Sequence, residues 1–272
     1  MNFTASFVSA PLDLELKRGE LHIWRARLDE DLSRSETLWQ MLSEEELERA
    51  GRFRFEKDRW RFVCRHGLLR EILGRYLDIE PGRLGFRYGK KGKPRLAGAP
   101  GNRTIHFSMS HSYGLALYAF SRDFEMGVDV EQVKDFSEMD RIAQGVFSAR
   151  EYSDFILLPD SRRKREEFFC RWTCKEAFVK AIGEGLGYPL DKVCVSSVGG
   201  QVERFSTKEK KSVADLEWSV HNLRIEGDYV GAFAVEGCGW QVRFLQPRDQ
   251  EKGQEVALPL KALMHGDKVL VV

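Results

Sequence analysis

The sequence predicts an α+β protein, built from helices and strands that alternate along its 272 residues. Residues 21–28 and 126–133 alternate apolar and polar side chains, which is typical of half-buried strands. Residues 57–76 and 162–182 instead carry apolar side chains near helical spacing. Each half of the chain therefore offers helices together with strands suited to antiparallel pairing, which is an α+β arrangement.

The composition is that of an ordinary globular protein. It has 43 Lys+Arg against 42 Asp+Glu, for a net charge of +1, and 42% of its residues are hydrophobic. This balance gives no general attraction to nucleic acid or to a membrane surface. The five cysteines are odd in number and lack C-x-x-C spacing, and no signal peptide or membrane-spanning run is evident. We expect a cytoplasmic protein that binds neither nucleic acid nor membranes.

The first half, residues 1–122, contains a clear helix start and a clear helix end. Ser43 and Glu46 have the spacing of a capping box, so a helix is predicted to begin there. Pro81 and Gly82 interrupt the helical pattern that covers 57–76. Two further strands are predicted over 105–111 and 115–120.

The second half, residues 123–272, has the same kinds of signal. Ser148 and Glu151 form a second capping-box pattern, after a short helix predicted around Asp140. The helix predicted over 162–182 is followed by the glycine-rich stretch 183–187, which would end it. Four more strands are predicted, over 193–198, 218–223, 229–235 and 241–244.

Asp129 and Glu131 form the first candidate site. Residues i and i+2 of a strand share a face, so these carboxylates project together while Val128 and Val130 face the core. Two adjacent carboxylates repel each other unless a cation or hydrogen bonds compensate, and a hard cation such as Mg²⁺ suits oxygen ligands. The alternative, a solvated strand face with two acids, stays open.

Glu176 and Lys180 form the second candidate site, on the helix predicted over 162–182. Helical steps from Phe169 lead through Trp172 to Glu176, so a carboxylate lies on an apolar stripe, where it needs a partner or a metal. Lys180 is one turn further along this face, and Lys175 flanks it. An ordinary i,i+4 ion pair between Glu176 and Lys180 is the other interpretation.

Two polar segments of the first half are candidate phosphate sites. Ser110 and His111 end a predicted strand, where hydroxyl, imidazole and backbone N–H groups suit a phosphate. Lys91 and Lys93 lie in the basic glycine loop 90–94, which lacks the spacing of a Walker A loop. Each segment alone is also typical of a simple solvated turn.

Taken together, these segments resemble the 4′-phosphopantetheinyl transferase superfamily, in its long, surfactin-synthetase-activating type. The two signature regions are Met-Gly-Val-Asp-Val-Glu at 126–131 and Phe-Cys-Arg-Trp-Thr-Cys-Lys-Glu-Ala-Phe-Val-Lys at 169–180. The family's serine-histidine segment is matched at 107–111, its Gly-Lys-Pro loop at 92–94, and the turn after its second signature at 183–187. The resemblance extends over roughly residues 45 to 195 in order.

The resemblance implies a pseudo-twofold pair of similar α/β halves with antiparallel sheets and an active-site cleft between them. It implies Mg²⁺-dependent transfer of the phosphopantetheine arm of coenzyme A to a serine of an acyl or peptidyl carrier protein, by a monomer. Asp129, Glu131 and Glu176 would hold the metal, and Glu176, Lys180 and Asp129 would be catalytic. The residues implied in coenzyme A binding are Arg49, Lys91, Lys93, Ser110, His111, Lys175 and Lys180.

The sequence departs from the family at one position and leaves two other functions open. The family often has a hydroxyl or small residue after the arginine of its first long helix, whereas here Phe62 follows Arg61. A coenzyme A-binding module without transfer is one alternative function. A metal-dependent phosphodiesterase or nuclease is the other, although no basic stripe with interleaved aromatic residues supports it.

Overall fold

The computed structural model describes residues 3–29, 34–98, 104–193 and 218–248. The helices of this part of the chain are α1 Ser35–Gln40, α2 Glu44–Gly51, α3 Glu56–Leu77, α4 Met139–Val146, α5 Ala149–Ile156 and α6 Ser161–Ile182. Its strands are β1 Phe3–Thr4, β2 Val8–Ser9, β3 Glu20–Arg27, β4 Phe86–Tyr88, β5 Pro94–Leu96, β6 His106–Ser112, β7 Leu115–Ser121, β8 Met126–Gln132, β9 Trp218–Arg224, β10 Tyr229–Glu236 and β11 Gln241–Gln246.

Two main sheets, each covered by one long helix, make up the fold. The first has strand order β2-β11-β3-β7-β6 and packs against α3, and the second has order β1-β9-β10-β8 and packs against α6. Strands β4 and β5 form a separate hairpin. The α+β class and its pair of sheet-and-helix halves are therefore confirmed.

The first strand of the described chain, β1, belongs to the second sheet, and its last strand, β11, belongs to the first sheet. The N-terminal strand β1 pairs in parallel with β9, while β11 pairs in parallel with β3 and β2. The central pairs are antiparallel, as predicted. The parallel outer pairs differ from the prediction, because apolar alternation reports which face of a strand is buried and not its direction. The division between residues 122 and 123 remains a prediction.

An apolar layer joins the two sheets. Ile23 and Leu117 from the first sheet meet Val128, Val130 and Phe233 from the second, all of them fully buried. Because successive strand residues face opposite sides, the residues that alternate with these valines face α6 instead. This alternation brings Asp129 and Glu131 to the helix side of β8.

The local helix signals are confirmed. Both capping boxes are present: Ser43 accepts a hydrogen bond from the backbone N–H of Glu46, and Ser148 does the same for Glu151. Helix α6 ends at Gly183, whose φ of 73° is in the left-handed region that glycine adopts readily.

Gly127 allows β8 to lie against α6. A Cβ atom at this position would be 2.0 Å from the carbonyl oxygen of Ala177 and 2.4 Å from the backbone nitrogen of Ala181. Only glycine permits such an approach of two backbones. This contact sets the spacing between the acidic strand and the helix that carries Glu176 and Lys180.

Most of the strand predicted over 193–198, and the chain beyond 248, lie outside the described residues. None of the helices in the described segments combines the length and apolarity needed to cross a membrane.

Candidate active site

Asp129 is a buried carboxylate on β8. Only 3% of its surface is exposed, and its neighbours Val128 and Val130 are fully buried on the opposite face. The solvated strand face considered from the sequence is therefore wrong for Asp129. Glu131, at the end of the same strand face, is partly buried. Burial of a carboxylate requires compensating contacts, and these come from α6 and β6.

Lys180, Asp129 and Ser110 form a closed triangle of hydrogen bonds. Lys180 Nζ donates to Asp129 Oδ1 at 2.6 Å and to Ser110 Oγ at 2.8 Å, and Ser110 Oγ donates to Asp129 Oδ1 at 2.7 Å. The ion pair of Lys180 is thus made across the site to β8. Lys180 therefore pairs with Asp129 and does not form the ordinary i,i+4 ion pair with Glu176 that the sequence left open.

Glu176 lies beside this triangle and is only 8% exposed. Burial raises its pKa, and the negative charges of Asp129 and Glu131 raise it further, while Lys180 opposes them. The pKa of Glu131 is likewise raised by burial and by Asp129. The three carboxylates thus repel one another at the meeting point of β8 and α6.

One oxygen of this acidic group lacks a partner. Asp129 Oδ2 is buried and has no hydrogen-bond partner among the described residues, although Oδ1 of the same carboxylate is held by Lys180 and Ser110. A buried carboxylate oxygen without a donor is costly, so this atom is suited to accept a proton or a cation from a ligand. Within the described parts of the chain, no three His, Cys, Asp or Glu side chains are gathered closely enough to hold a metal ion.

Three serines connect the edge strand β6 to β8. Ser108 Oγ accepts from the N–H of Val128 at 3.2 Å, Ser110 binds Asp129, and Ser112 Oγ donates to Glu131 Oε2 at 2.7 Å. These hydroxyls join the two sheets where no strand ladder does. Ser110 was predicted from the sequence and Ser112 was not, although the i+2 spacing of these two serines matches that of Asp129 and Glu131.

His111 points away from the carboxylates, toward α3. Its Nε2 contacts the guanidinium of Arg65. Partial burial and the positive charges of Arg65 and Lys180 lower the pKa of His111 to about 4, so the ring is neutral at pH 7. Arg49 and Arg65 both lie over the ring of Phe62, each with Cζ 5.4 Å from its centroid. The predicted residues Arg49 and His111 thus lie in one cluster, and Arg65 is a member that the sequence analysis missed.

Lys93 lies outside the cluster of Arg49, Arg65 and His111, in the turn of the β4–β5 hairpin. Its Nζ donates to Glu125 Oε2 at 2.7 Å and to the carbonyl oxygen of Ala181 at 2.8 Å, which fastens the β4–β5 hairpin to the end of α6. Lys91 is exposed at the tip of this hairpin, and its backbone lies against Gly185.

Lys175 is not part of the acidic site. Its side chain is fully buried, its Nζ is 2.8 Å from Glu151 Oε2, and it also donates to the backbone carbonyls of Leu190 and Val193. This geometry supports a structural role for Lys175, since its ammonium is surrounded by protein acceptors.

The site therefore combines repelling carboxylates, a lysine held among them, serine hydroxyls and a cluster of arginines. Such a set can stabilise negative charge on phosphate groups and accept a proton from an attacking hydroxyl. His111 contacts Arg65, so within the described segments it does not form the nucleophile–histidine pair of a hydrolase.

Comparisons with known proteins agree with this chemistry. A family profile described as the 4′-phosphopantetheinyl transferase superfamily matches residues 125–234, and one described as 4′-phosphopantetheinyl transferase, N-terminal, matches residues 29–121. The chain is 37% identical over 239 residues to the 4′-phosphopantetheinyl transferase HetI of Nostoc sp., covering 88% of this chain and 97% of that protein.

Two further relatives are more distant. The 4′-phosphopantetheinyl transferase Sfp of Bacillus subtilis is 31% identical over 64% of this chain and 76% of its own length. A putative 4′-phosphopantetheinyl transferase of Synechocystis sp. is 34% identical over 56% of this chain and 61% of its own length. The site geometry, the two profiles and the near full-length match together establish that this chain belongs to the 4′-phosphopantetheinyl transferase superfamily and is an enzyme of that class.

Proposed function

We propose that this enzyme transfers the 4′-phosphopantetheine arm of coenzyme A to a serine of an apo acyl or peptidyl carrier protein and releases adenosine 3′,5′-bisphosphate. The observation that most supports this is the buried carboxylate of Asp129, which pairs with Lys180 while its second oxygen has no partner in the part of the chain that the structure describes. A substrate with a pyrophosphate group suits such a site, since it brings both phosphate oxygens and associated cations.

The donor set suits Mg²⁺. The candidate ligands Asp129, Glu131 and Glu176 offer only oxygen, although in the described chain they are not gathered closely enough to hold a metal by themselves. Burial and their mutual repulsion raise the pKa of both glutamates, and a bound cation would relieve that repulsion. Bound there, Mg²⁺ would neutralise charge on the pyrophosphate and on the leaving bisphosphate.

Lys180 and Ser110 would position the pyrophosphate. Asp129 holds the ammonium of Lys180 at the junction of β8 and α6, and Ser110 fixes it from β6. An ammonium fixed in advance stabilises charge that develops on phosphate oxygens without a reorganisation cost.

Glu176 would accept the proton of the attacking serine, directly or through water. Burial and the neighbouring carboxylates raise its pKa, which makes it a stronger base than an exposed glutamate. In the reaction, the carrier serine Oγ forms a bond to the β-phosphorus of coenzyme A. The bond from that phosphorus to the oxygen of the adenosine 5′-phosphate breaks, and the serine proton moves to Glu176.

The remaining phosphate of the nucleotide would be held by His111 and Arg49. Lys91 would add its exposed ammonium from the β4–β5 hairpin. Lys93, whose Nζ is occupied by Glu125, would contribute through the position of the loop. We further propose that the enzyme is a monomer, because residues of both sheets meet at one site within a single chain. We propose a cytoplasmic location from the cysteines, which are five in number and lack C-x-x-C spacing.

Intact-mass spectrometry tests the proposal. An apo carrier protein incubated with this enzyme, coenzyme A and Mg²⁺ should gain the mass of one phosphopantetheine arm, and EDTA or Glu176→Gln should abolish the gain. Asp154→Asn, on the exposed face of α5, is the matched control and should transfer normally.

Two other outcomes would contradict it. Binding of coenzyme A without a mass gain on peptidyl, polyketide and fatty-acid carriers would indicate a binding module. Cleavage of plasmid DNA with Mg²⁺, without transfer, would indicate a phosphodiesterase.

A further inference from the structure

Tyr113 has an unfavourable backbone conformation in the turn after β6. Ser112 at the end of β6 pairs with Leu115 at the start of β7, so Tyr113 and Gly114 are the two residues of a hairpin loop. The φ of Tyr113 is 50°, in the left-handed region, where such loops usually have Gly, Asn or Asp. A bulky residue in this conformation costs free energy, and backbone strain of this kind is concentrated at functional sites.

Packing within the described chain does not compensate for this strain. The side chain of Tyr113 lies at the surface, and 44% of the residue is exposed. The glycine of the loop is at position 114, where an added Cβ atom would be 2.8 Å from Asp29 Oδ2, so it does not relieve residue 113. An exposed aromatic ring that is held at a cost is suited to contact a partner outside the chain.

Lys134 binds the hydroxyl group of Tyr113. Its Nζ donates to the Tyr113 oxygen, and because an ammonium can only donate, the hydroxyl hydrogen of Tyr113 is available to another acceptor. Lys134 is exposed and contacts no carboxylate among the residues that the structure describes, whereas the next residue, Asp135, pairs with Arg165. The pair of Tyr113 and Lys134 therefore offers one O–H donor and one ammonium to a ligand.

Positive charge exceeds negative charge around Tyr113. The guanidinium of Arg61 has its Cζ 6.0 Å from the centre of the Tyr113 ring. Arg61 and Lys57 share the single carboxylate of Asp29. Together with Lys134, these side chains give three cations to one carboxylate, a balance that favours an acidic partner.

Tyr113 and Lys134 lie at the exposed edge of the acidic site. Tyr113 directly follows Ser112, whose hydroxyl binds Glu131, and Lys134 is three residues beyond Glu131, just after the end of β8. Asp129, deeper in the site, is only 3% exposed. A protein that presents a serine to this buried carboxylate must itself contact residues at the edge, and Tyr113 and Lys134 are placed there.

We infer that Tyr113 and Lys134 bind an acidic side chain next to the target serine of the carrier protein, and that they thereby position this serine at the acidic site. The inference rests on the proposed function and names the part of the carrier that the edge of the site recognises. A carboxylate would accept one hydrogen bond from the Tyr113 hydroxyl and one from the Lys134 ammonium. Both residues would act on the carrier and not on coenzyme A.

Steady-state transfer to an apo peptidyl carrier protein, together with calorimetry of coenzyme A binding to the full chain, tests the inference. Lys134→Glu should raise the KM for the carrier by about 10-fold or more, and should change kcat and the Kd of coenzyme A by less than about 2-fold. Tyr113→Phe, which removes only the donor, should raise this KM by about 3-fold. Lys17→Glu is the matched control: Lys17 is an exposed lysine before the start of β3, whereas Gly114 contacts the residue after its other end.

Tyr113→Gly separates a role in binding from a role in folding. Glycine adopts a positive φ without strain, so this variant should unfold at the wild-type temperature or above it. Its KM for the carrier should nevertheless rise by about 10-fold. A lower unfolding temperature with an unchanged KM would show that the Tyr113 side chain is structural, and the inference would be wrong.

Changes on the carrier test which group is recognised. Replacement of the carrier's acidic residues next to the target serine by glutamine should raise KM for the wild-type enzyme and have little further effect on Lys134→Ala. Equal effects on both enzymes would contradict the inference, as would variants of Tyr113 and Lys134 that weaken coenzyme A binding instead. Either result can occur while wild-type transfer is intact. Failure of the wild-type enzyme to transfer would overturn the proposed function and this inference with it.

Discussion

Lys180 Nζ lies 2.6 Å from Asp129 Oδ1, which joins helix α6 to strand β8 across 51 residues of sequence. The contact lies where the strand and helix backbones nearly touch, and Ser110 closes it from the other sheet. Both sheets and the long C-terminal helix therefore meet at one ion pair, and the chemistry of the site depends on how these elements pack.

Replacement of Gly127 by alanine should disrupt this packing. The added Cβ would be 2.0 Å from the carbonyl oxygen of Ala177, so β8 and α6 must separate. We expect a loss of about 3 kcal/mol or more of stability and of most activity. Gly145→Ala is the control, since a Cβ there meets nothing within 4 Å and alanine should gain about 0.5–1 kcal/mol in helix α4. Urea unfolding of both variants measures the difference; equal stabilities would show that β8 tolerates a side chain at residue 127.

Asp129→Asn should reduce transfer by about 100-fold or more, because Lys180 loses its counter-ion and the carboxylate group loses one member. It should also lower the pKa of Glu131 and of Glu176, since the charge of Asp129 raises both. Carboxyl NMR titration of the metal-free protein measures these pKa values. Unchanged pKa values in the variant would mean that the three carboxylates are not electrostatically linked.

Ser112→Ala tests a contact that the sequence analysis missed. The hydroxyl of Ser112 lowers the pKa of Glu131 by donating to it, so its removal should raise that pKa further. If Glu131 holds the metal, the affinity for Mg²⁺ should fall about 10-fold. Titration of transfer activity against Mg²⁺ measures this effect. The comparison variant is Ser153→Ala on α5, whose hydroxyl binds the carbonyl oxygen of Ala149 and should have no influence on the metal.

Lys175→Met should destabilise the fold by about 3–5 kcal/mol, because the carboxylate of Glu151 would remain buried without its ammonium partner. The double variant Glu151→Leu with Lys175→Met should cost less than the sum of the two single changes. Affinity for coenzyme A, measured on the folded fraction, should not change. A stable Lys175→Met protein with weakened coenzyme A binding would instead favour the ligand role implied by the family resemblance.

His66 should make the protein less stable in acid. Burial and the charge of Arg65 lower the pKa of His66 from 6.5 to about 4, so the unfolded chain binds the proton more tightly. Stability is therefore present above about pH 6.5 and is lost as the pH falls toward 4. Between pH 7 and pH 5 this group accounts for a loss of about 2 kcal/mol. Urea unfolding of His66→Gln at both pH values should show a loss smaller by that amount, whereas an unchanged loss would exclude His66 as a cause.

Helices α2 to α6, the central strands and the acidic residues were predictable from the sequence, whereas helix α1, Ser35–Gln40, was not predicted. Capping boxes at Ser43 and Ser148, and the glycine that ends α6, act within one helical turn, so local sequence determines them. The placement of Asp129 and Glu131 on one face follows from the period of a strand. The motifs at 92–94, 107–111, 126–131 and 169–180, taken in this order, were also sufficient to indicate the family.

Only the tertiary structure decided which groups meet. Burial of Asp129, its bond to Lys180 and the contact of Arg65 with His111 depend on contacts between segments far apart in the chain. The parallel pairing of β11 with β3 is of the same kind, since a strand's pattern does not specify its neighbour. Local periodicity determines which side of an element is apolar, whereas the pairing of polar groups depends on how close two backbones can pack. In this protein that approach is set by Gly127.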